Sequence, residues 1–247
     1  MRILVVNPNT TAAMTGTIAK AARAAAAPAT VIDAVTSAMG PASIEGYYDE
    51  ALAVPGLLAE IARGEREGAG AAIIACFDDT GLDAARSMAA IPVIGVCEAA
   101  LALASFVARR FSVVTMSERS LVPVEDLVRR YGMESRARVR AVGIPVLDLE
   151  DPTSGAALSL RGEIARALEE DRAEAIVLGC AGMADLAGAL RRDFGVPVID
   201  GVGAAVKQAE ALLELGLSTS KRGAYAPPAQ KRFAGALSGF APGKAVA

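Results

Sequence analysis

The chain reads as short, unbroken apolar runs separated by longer segments whose apolar residues recur at helical spacing. Arg2 to Val6 is the first run and predicts a buried strand. Asn7-Pro8-Asn9-Thr10-Thr11 ends it, and Thr10 or Thr11 is placed to cap an alanine-rich helix reaching about Ala27, ahead of Pro28. A strand over Thr30 to Val35 comes next, then a loop from Thr36 to Gly46. A helix over about Asp49 to Glu67 carries Leu57, Leu58 and Ile61 on one face, with Pro55 near an expected kink. An apolar run from Ala71 then ends in Cys76-Phe77-Asp78-Asp79-Thr80-Gly81. It is followed by a helix over Leu82 to Ala89 and a strand over Val93 to Val96. Strands alternating with helices through short loops predict a parallel sheet covered on both faces.

The plan then repeats. Phe111 to Thr115 matches Ile3 to Asn7, a helix follows near Val124 to Tyr131, and a strand lies near Val139 to Val142. Ile144 to Gly155 is rich in Pro, Asp and Gly and reads as a loop, after which Leu160, Ile164 and Leu168 mark a helix face. Ala175-Ile176-Val177-Leu178-Gly179-Cys180 is a second strand that delivers a cysteine to a loop. Ile61-Ala62-Arg63 stands 15 residues before Cys76, and Ile164-Ala165-Arg166 stands 16 before Cys180. Ile91-Pro92-Val93-Ile94-Gly95-Val96 and Val196-Pro197-Val198-Ile199-Asp200-Gly201-Val202 correspond, as do the apolar helices over Glu98 to Arg110 and Gly203 to Gly216. Matched elements in one order predict an internal duplication. The expected fold is α/β, with two pseudo-symmetric parallel-sheet domains of flavodoxin/Rossmann-like type and the active site in the cleft between them. The domains are expected at 1–97 plus 205–247 and at 98–204. The Ser-, Gly- and Pro-containing tail after Gly216 is expected to wrap a surface or an interface.

Composition narrows the chemistry. Of 247 residues, 53% are hydrophobic and 21% charged, which predicts a folded chain with a substantial core. Net charge is −3 with both signs interspersed, and aromatic residues make up only 4%, so no nucleic-acid partner is expected. Histidine is absent, which removes Ser-His-Asp and Cys-His catalysis and any histidine zinc site. Cys76, Cys97 and Cys180 form no C-x-x-C pair, so no metal site is expected, and an odd, sparse set suits thiols in a reducing cytoplasm. The N-terminal apolar run is too short for a signal peptide. Ile91 to Ala108 contains Pro92, Gly95 and Glu98 and parses as strand plus helix, so no membrane partner is expected.

In an open parallel sheet, ligands sit beyond the carboxyl ends of the strands. Asn7 to Thr11, Ser43 to Glu45, Cys76 to Gly81, Thr115 to Ser117 and Cys180 to Met183 fall there. A buried cysteine after a strand is usually a small core hydrophobe. A matched pair at strand ends of two repeats points instead to acid–base work. Inverting a carbon stereocentre needs a base on one face and an acid on the other, and one thiolate with one thiol serves both directions. A helix N-terminus lowers a thiol's pKa, so a thiolate is accessible without histidine, and backbone N–H groups after each cysteine can hold a developing enolate oxygen. Cys97 has no counterpart and reads as packing. Asp200-Gly201-Val202-Gly203 lacks the third glycine of a dinucleotide fingerprint and reads as a turn. Lys207 reads as a surface or interface residue.

Asn7-Pro8-Asn9-Thr10, Ser43-Ile44-Glu45-Gly46, Ala75-Cys76-Phe77-Asp78-Asp79, Leu178-Gly179-Cys180-Ala181-Gly182-Met183 and Pro197-Val198-Ile199-Asp200-Gly201 together resemble the hydantoin racemase family. Allantoin racemase is a close relative there, within the wider aspartate/glutamate racemase superfamily. The resemblance runs from Asn7 to about Lys221. It implies racemisation at C5 of a hydantoin ring without a cofactor, with Cys76 and Cys180 as acid and base. It also implies a binding set of Asn9, Ile44, Phe77, Thr115, Ala181 and Gly182, to which Thr80 beside the first cysteine is added.

The loops contain no Arg or Lys to clamp an amino-acid carboxylate, and Asp78 and Asp79 would repel one, so a neutral cyclic ureide is the expected small-molecule partner. The same carboxylates would raise the Cys76 pKa unless Thr80 or backbone N–H groups satisfy them, and they could equally cap the following helix. An aspartate/glutamate-type racemase, an arylmalonate-type decarboxylase and a non-catalytic two-lobed binding protein remain open as alternatives. A homo-oligomer is expected from the alanine-rich helices and the tail.

Overall fold

The computed structural model describes residues 1–151 and 153–242. Pro152, inside the predicted loop, and residues 243–247, the end of the first expected unit, lie outside the described residues. The first half contains β1 (Arg2–Asn7), α1 (Ala12–Ala25), β2 (Val31–Thr36), α2 (Tyr47–Arg66), β3 (Ala71–Ile74), α3 (Leu82–Met88) and β4 (Val93–Gly95). After α4 (Val96–Val107), the second half contains β5 (Phe111–Thr115), α5 (Leu121–Arg130), β6 (Ala137–Ala141), α6 (Ala156–Glu170), β7 (Ala175–Leu178), α7 (Ala187–Phe194) and β8 (Val198–Asp200), followed by α8 (Gly201–Glu214). Each half builds a four-stranded, all-parallel sheet, in the orders β2-β1-β3-β4 and β6-β5-β7-β8. The identical order is the internal duplication expected from the residues.

Both sheets are buried on both faces, which is why their strands read as unbroken apolar runs. In β1, Leu4 and Val6 pack with Leu57 and Ile61 of α2 and Leu82 of α3. Ile3 and Val5 face the other way, into a core shared with α1, α4, α8 and the second sheet. That shared core includes Cys97, fully buried as expected of a packing residue. Helix α4 packs against α8 and β7, while α8 packs against α1, β3 and β4, so the two crossover helices join the halves. The stretch Ile91 to Ala108 accordingly forms β4 and α4, the strand plus helix expected of it. Among the described residues no helix is long and apolar enough to cross a membrane.

Three local expectations change. Thr11 stands at the N-cap of α1, but its hydroxyl donates to the Ala42 carbonyl at 2.7 Å and ties the loop before α2 to the first strand end. The Asp200-Gly201 stretch is the start of α8, whose Gly203 N–H is accepted by Asp200 Oδ1 at 2.6 Å. The predicted loop after β6 carries a 3-10 turn over Val146–Glu150. Lys207 pairs with Glu210 at 2.8 Å. The tail lies along α3 and the turn behind it, with Ser218 Oγ donating to Ala90 O at 2.6 Å and Tyr225 Oη donating to Asp83 at 2.8 Å.

Candidate active site

Both cysteines sit two residues beyond the inner strand of their sheet. The last ladder bond before each is equivalent: Ala75 N–H donates to Val6 O at 2.9 Å, and Gly179 N–H donates to Val114 O at 2.8 Å. Each cysteine then opens the same turn, its carbonyl accepting from the residue three positions on, Asp79 N–H at 3.0 Å and Met183 N–H at 3.1 Å. A narrow cavity of about 30 Å³ brings the two ends together. Cys76 and Cys180 line it, with Asn9, Ile44, Phe77, Thr115 and Ala181 from the predicted set. Gly182 borders it, since a Cβ there would stand 3.6 Å from Cys180 Sγ. Gly179 has no room for a side chain: a Cβ would meet Thr115 Cβ and Val114 O, each at 3.0 Å.

Thr80 is brought to the thiol but not to the cavity wall. It is fully buried and its Oγ1 has no hydrogen-bond partner among the described residues, yet it lies close enough to favour a thiolate at Cys76 by donation. Asn9 and Thr115 are more committed than expected. Asn9 Oδ1 accepts from Thr11 N–H and from Asn7 Nδ2, both at 2.9 Å, so it holds the loop after β1. Thr115 Oγ1 donates to Gly179 O at 3.2 Å and braces the Cys180 turn. Sequence reasoning missed Met14, Ser120 and Val146, which complete the wall. Met14 was readable as the first inward residue of α1; Ser120 and Val146 sit in 3-10 turns that carried no pattern of their own.

Electrostatics correct the expected ease of forming a thiolate at Cys76. Burial pushes this thiol well up, and the Asp78 charge pushes it further; the Thr80 hydroxyl and the Asp78 N–H act against them. The charge of Cys180 also raises it, so the two sulfurs interact through the cavity. Helix α3, whose N-terminus was expected to help, begins only at Leu82. Cys180 has a nearer helix end, as the N-cap of the 3-10 turn over Ala181–Leu186, whose leading N–H groups have no partner within the turn.

The two aspartates after Cys76 do different things. Asp79 has a left-handed backbone (φ 46°), a conformation that Asp adopts more readily than most residues. Its carboxylate turns away from the cavity, and Oδ1 accepts from Cys97 N–H at 2.9 Å. Oδ2 accepts from Glu98 N–H at 2.9 Å and from Tyr131 Oη at 2.7 Å. It therefore caps α4, not the following α3, and ties the Cys76 loop to a tyrosine at the end of α5 in the other half. Gly95 makes this possible, because a Cβ there would fall 2.3 Å from the Asp79 carboxylate. Asp78 keeps its side chain beside the cavity, buried, with Oδ2 unpartnered among the described residues. Burial, Glu50 and Asp79 raise it to about 7.

Asp78 also lines an outer cleft of about 300 Å³ between α2, α3 and α5, together with Tyr47, Glu50, Asp126 and Arg130. Tyr47 Oη donates to Asp126 at 3.0 Å across that cleft, and Arg130 pairs with Asp83. Among the described residues no group of three or more Cys, Asp or Glu side chains is arranged to hold a metal ion. The arrangement is two thiols on opposing loops, flanked by apolar walls and backbone N–H groups.

Comparison with known proteins gives one answer at the level of sequence and of structure. Residues 3–209 match the family model described as Asp/Glu/Hydantoin racemase. A hydantoin racemase from Pseudomonas sp. (strain NS671) is 52% identical over 97% of each chain. The structure of allantoin racemase from Klebsiella pneumoniae superposes with a TM-score of 0.95 at 49% identity, covering 98% of this chain and 99% of that one. Allantoin racemase from Pseudomonas fluorescens superposes with a TM-score of 0.91 at 41% identity, over 95% and 100% of the two chains.

Proposed function

The chain belongs to the Asp/Glu/hydantoin racemase family, and from that premise we propose that it racemises 5-substituted hydantoins, allantoin among them, using Cys76 and Cys180 and no cofactor. The observation that carries this reading is the placement of the two thiols on equivalent turns of a duplicated fold, lining one cavity. One sulfur, as thiolate, removes the C5 proton. The electron pair moves into the adjacent carbonyl to give an enolate, and the other thiol delivers its proton to the opposite face of C5. The thiolate has become a thiol and the thiol a thiolate, ready for the reverse reaction. The leading N–H groups of the Cys180 turn, without partners inside the turn, support a role in holding the enolate oxygen. The raised Cys76 pKa supports Cys76 as the protonated thiol of the resting pair.

Ile44, Phe77 and Ala181 supply apolar wall, Asn9, Thr80 and Thr115 hold the loops and thiols in place, and Gly182 leaves space beside the Cys180 sulfur. The homo-oligomer belongs to the same proposal, supported by the exposed Phe106 and Val107 at the end of α4. So does the division into 1–97 plus 205–247 and 98–204. Allantoin and 5-benzylhydantoin, each as a single enantiomer in heavy water, test the activity by decay of circular dichroism and deuterium uptake at C5. Wild type is expected to do both, and Cys76→Ser and Cys180→Ser to lose racemisation. Wild-type rates in both single variants would overturn the two-thiol mechanism.

A further inference from the structure

Asp78 is the one polar side chain of the Cys76 loop whose place in the fold leaves a buried oxygen without a partner while it borders the cavity. Both carboxylate oxygens of Asp79 are engaged by α4 or Tyr131. Asn9 Oδ1 and the Thr115 hydroxyl proton are used within the loops. Asp78 Oδ2 is buried and unmatched, and the residue is 8% exposed. A buried polar atom left unpaired is costly and calls for a partner that arrives with a ligand. We propose that Asp78 reads the substrate ring, its carboxyl group giving one hydrogen bond and taking one from the adjacent N–H and C=O of a cyclic ureide or lactam. The inference rests on the hydantoin-racemising reading and extends it to the residue that chooses the ring.

The chemistry requires the carboxyl to hold its proton. Burial, Glu50 and Asp79 all push in that direction, to about 7. The groups that share its surroundings are Cys76 and Asp79 on its own loop, Cys180 across the cavity, Tyr47 and Glu50 on α2, Asp83 on α3, and Asp126 and Arg130 on α5. Of these only Arg130 is cationic, and it is paired with Asp83. A neutral carboxyl has one donor and one acceptor side by side, the complement of an amide edge. The ionised form has lost the donor and can no longer match the ring edge.

The test is calorimetric titration of 2-imidazolidinone, which carries the N–H/C=O edge and stays neutral, into wild type, Asp78→Ala and Asp78→Asn between pH 6 and 9. In wild type the affinity is expected to fall by up to tenfold per pH unit above about 7, as the binding form is depleted. Asp78→Ala is expected to bind roughly tenfold or more weakly at pH 6, from the loss of two hydrogen bonds. Asn carries the same donor and acceptor without a titrating proton, so Asp78→Asn should recover most of that loss and give a flat profile. Far-ultraviolet circular dichroism checks that the variants fold. Wild-type affinity in Asp78→Ala at pH 6, or an Asn variant that binds no better than Ala or keeps the wild-type pH slope, overturns the proposal. C5 deuterium uptake by the wild type is measured in parallel: if wild type racemises while Asp78→Ala keeps its affinity, only this inference falls. If wild type exchanges no C5 proton of any hydantoin, the reading beneath it falls.

Discussion

Exchanging the cap of α4 tests how the first half of the duplication is built. In the second half α8 is capped locally by Asp200, at φ −92° and ψ 140°. The equivalent residue before α4 is Gly95, at φ −86° and ψ 139°, so an aspartate fits its backbone, and the space its side chain needs is held by Asp79. Hydrogen bonds to a charged acceptor contribute about 1.5–3 kcal/mol each, and Asp79 accepts three. Its pKa is nonetheless raised from 3.8 to about 6, because burial outweighs the three bonds that favour its charged form. Asp79→Ala is expected to cost about 1–3 kcal/mol at pH 8, set by the Cys97 and Glu98 N–H groups left without their acceptor. Gly95→Asp alone should destabilise, since it drives a carboxylate onto Asp79. Asp79→Ala/Gly95→Asp should regain about 1–2 kcal/mol over Asp79→Ala, the contribution of a local aspartate cap. Urea unfolding measures all four proteins, and decay of circular dichroism measures racemisation. The double variant is expected to be more stable than the sum of its parts but to turn over roughly tenfold more slowly, because the Cys76 loop has lost its tether. Single-variant effects that simply add, within about 0.5 kcal/mol, would refute the assignment of Asp79 as the cap. A double variant with full turnover would refute the tether.

Three further outcomes follow from the same geometry. Tyr131→Phe removes one donor to Asp79 and should cost about 1–2 kcal/mol in urea unfolding; an unchanged midpoint would mean that the link between the halves carries no energy. Gly179→Ala forces a Cβ into Thr115 and Val114 O and should cost about 1–3 kcal/mol, with a larger fractional loss of racemisation than of stability; wild-type turnover would show that the Cys180 turn tolerates the shift. Asp78 at about 7 and Asp79 at about 6 bind protons in the folded chain that the unfolded chain has released. Their stabilising contribution is full below about pH 4 and is lost as pH rises through 6 and 7. Carboxylates lowered by ion pairs, such as Glu163 and Glu210, titrate below this window. Unfolding free energy should thus fall between pH 5 and 7, by up to ~1.4 kcal/mol per unit for each group. Asp78→Asn should reduce the slope, and stability rising across that interval would contradict the burial argument.

The parts of this fold that could be read from residues alone are those set by local pattern. Parallel strands buried on both faces leave unbroken apolar runs, and Gly, Pro and Asn punctuate them, so β1, β3, β5 and β7 were visible together with the repeat that relates them. Cys76 and Cys180 were visible because the repeat placed both at strand ends. What could not be read depends on distance through space. Asp79 looks like a local cap for α3, and only its left-handed φ sends the carboxylate to Cys97 and Glu98, far along the chain. The raising effect of Asp78 on the Cys76 pKa was legible in the sequence, but the burial that adds to it and outweighs it is equally invisible in its neighbours.

These two gaps have one origin. A duplicated fold begins with equivalent loops, and the second half still caps its crossover helix with the residue beside it. In the first half that position is glycine, and the cysteine loop itself supplies the cap, so stability and alignment of Cys76 depend on the same carboxylate. Its neighbour Asp78, one residue away with its own carboxyl beside the cavity, keeps one buried oxygen without a partner among the described residues. Two adjacent aspartates that looked interchangeable in the sequence are thus divided by the backbone angle at Asp79: one ties the Cys76 loop to α4 and Tyr131, and the other keeps its carboxyl beside the cavity.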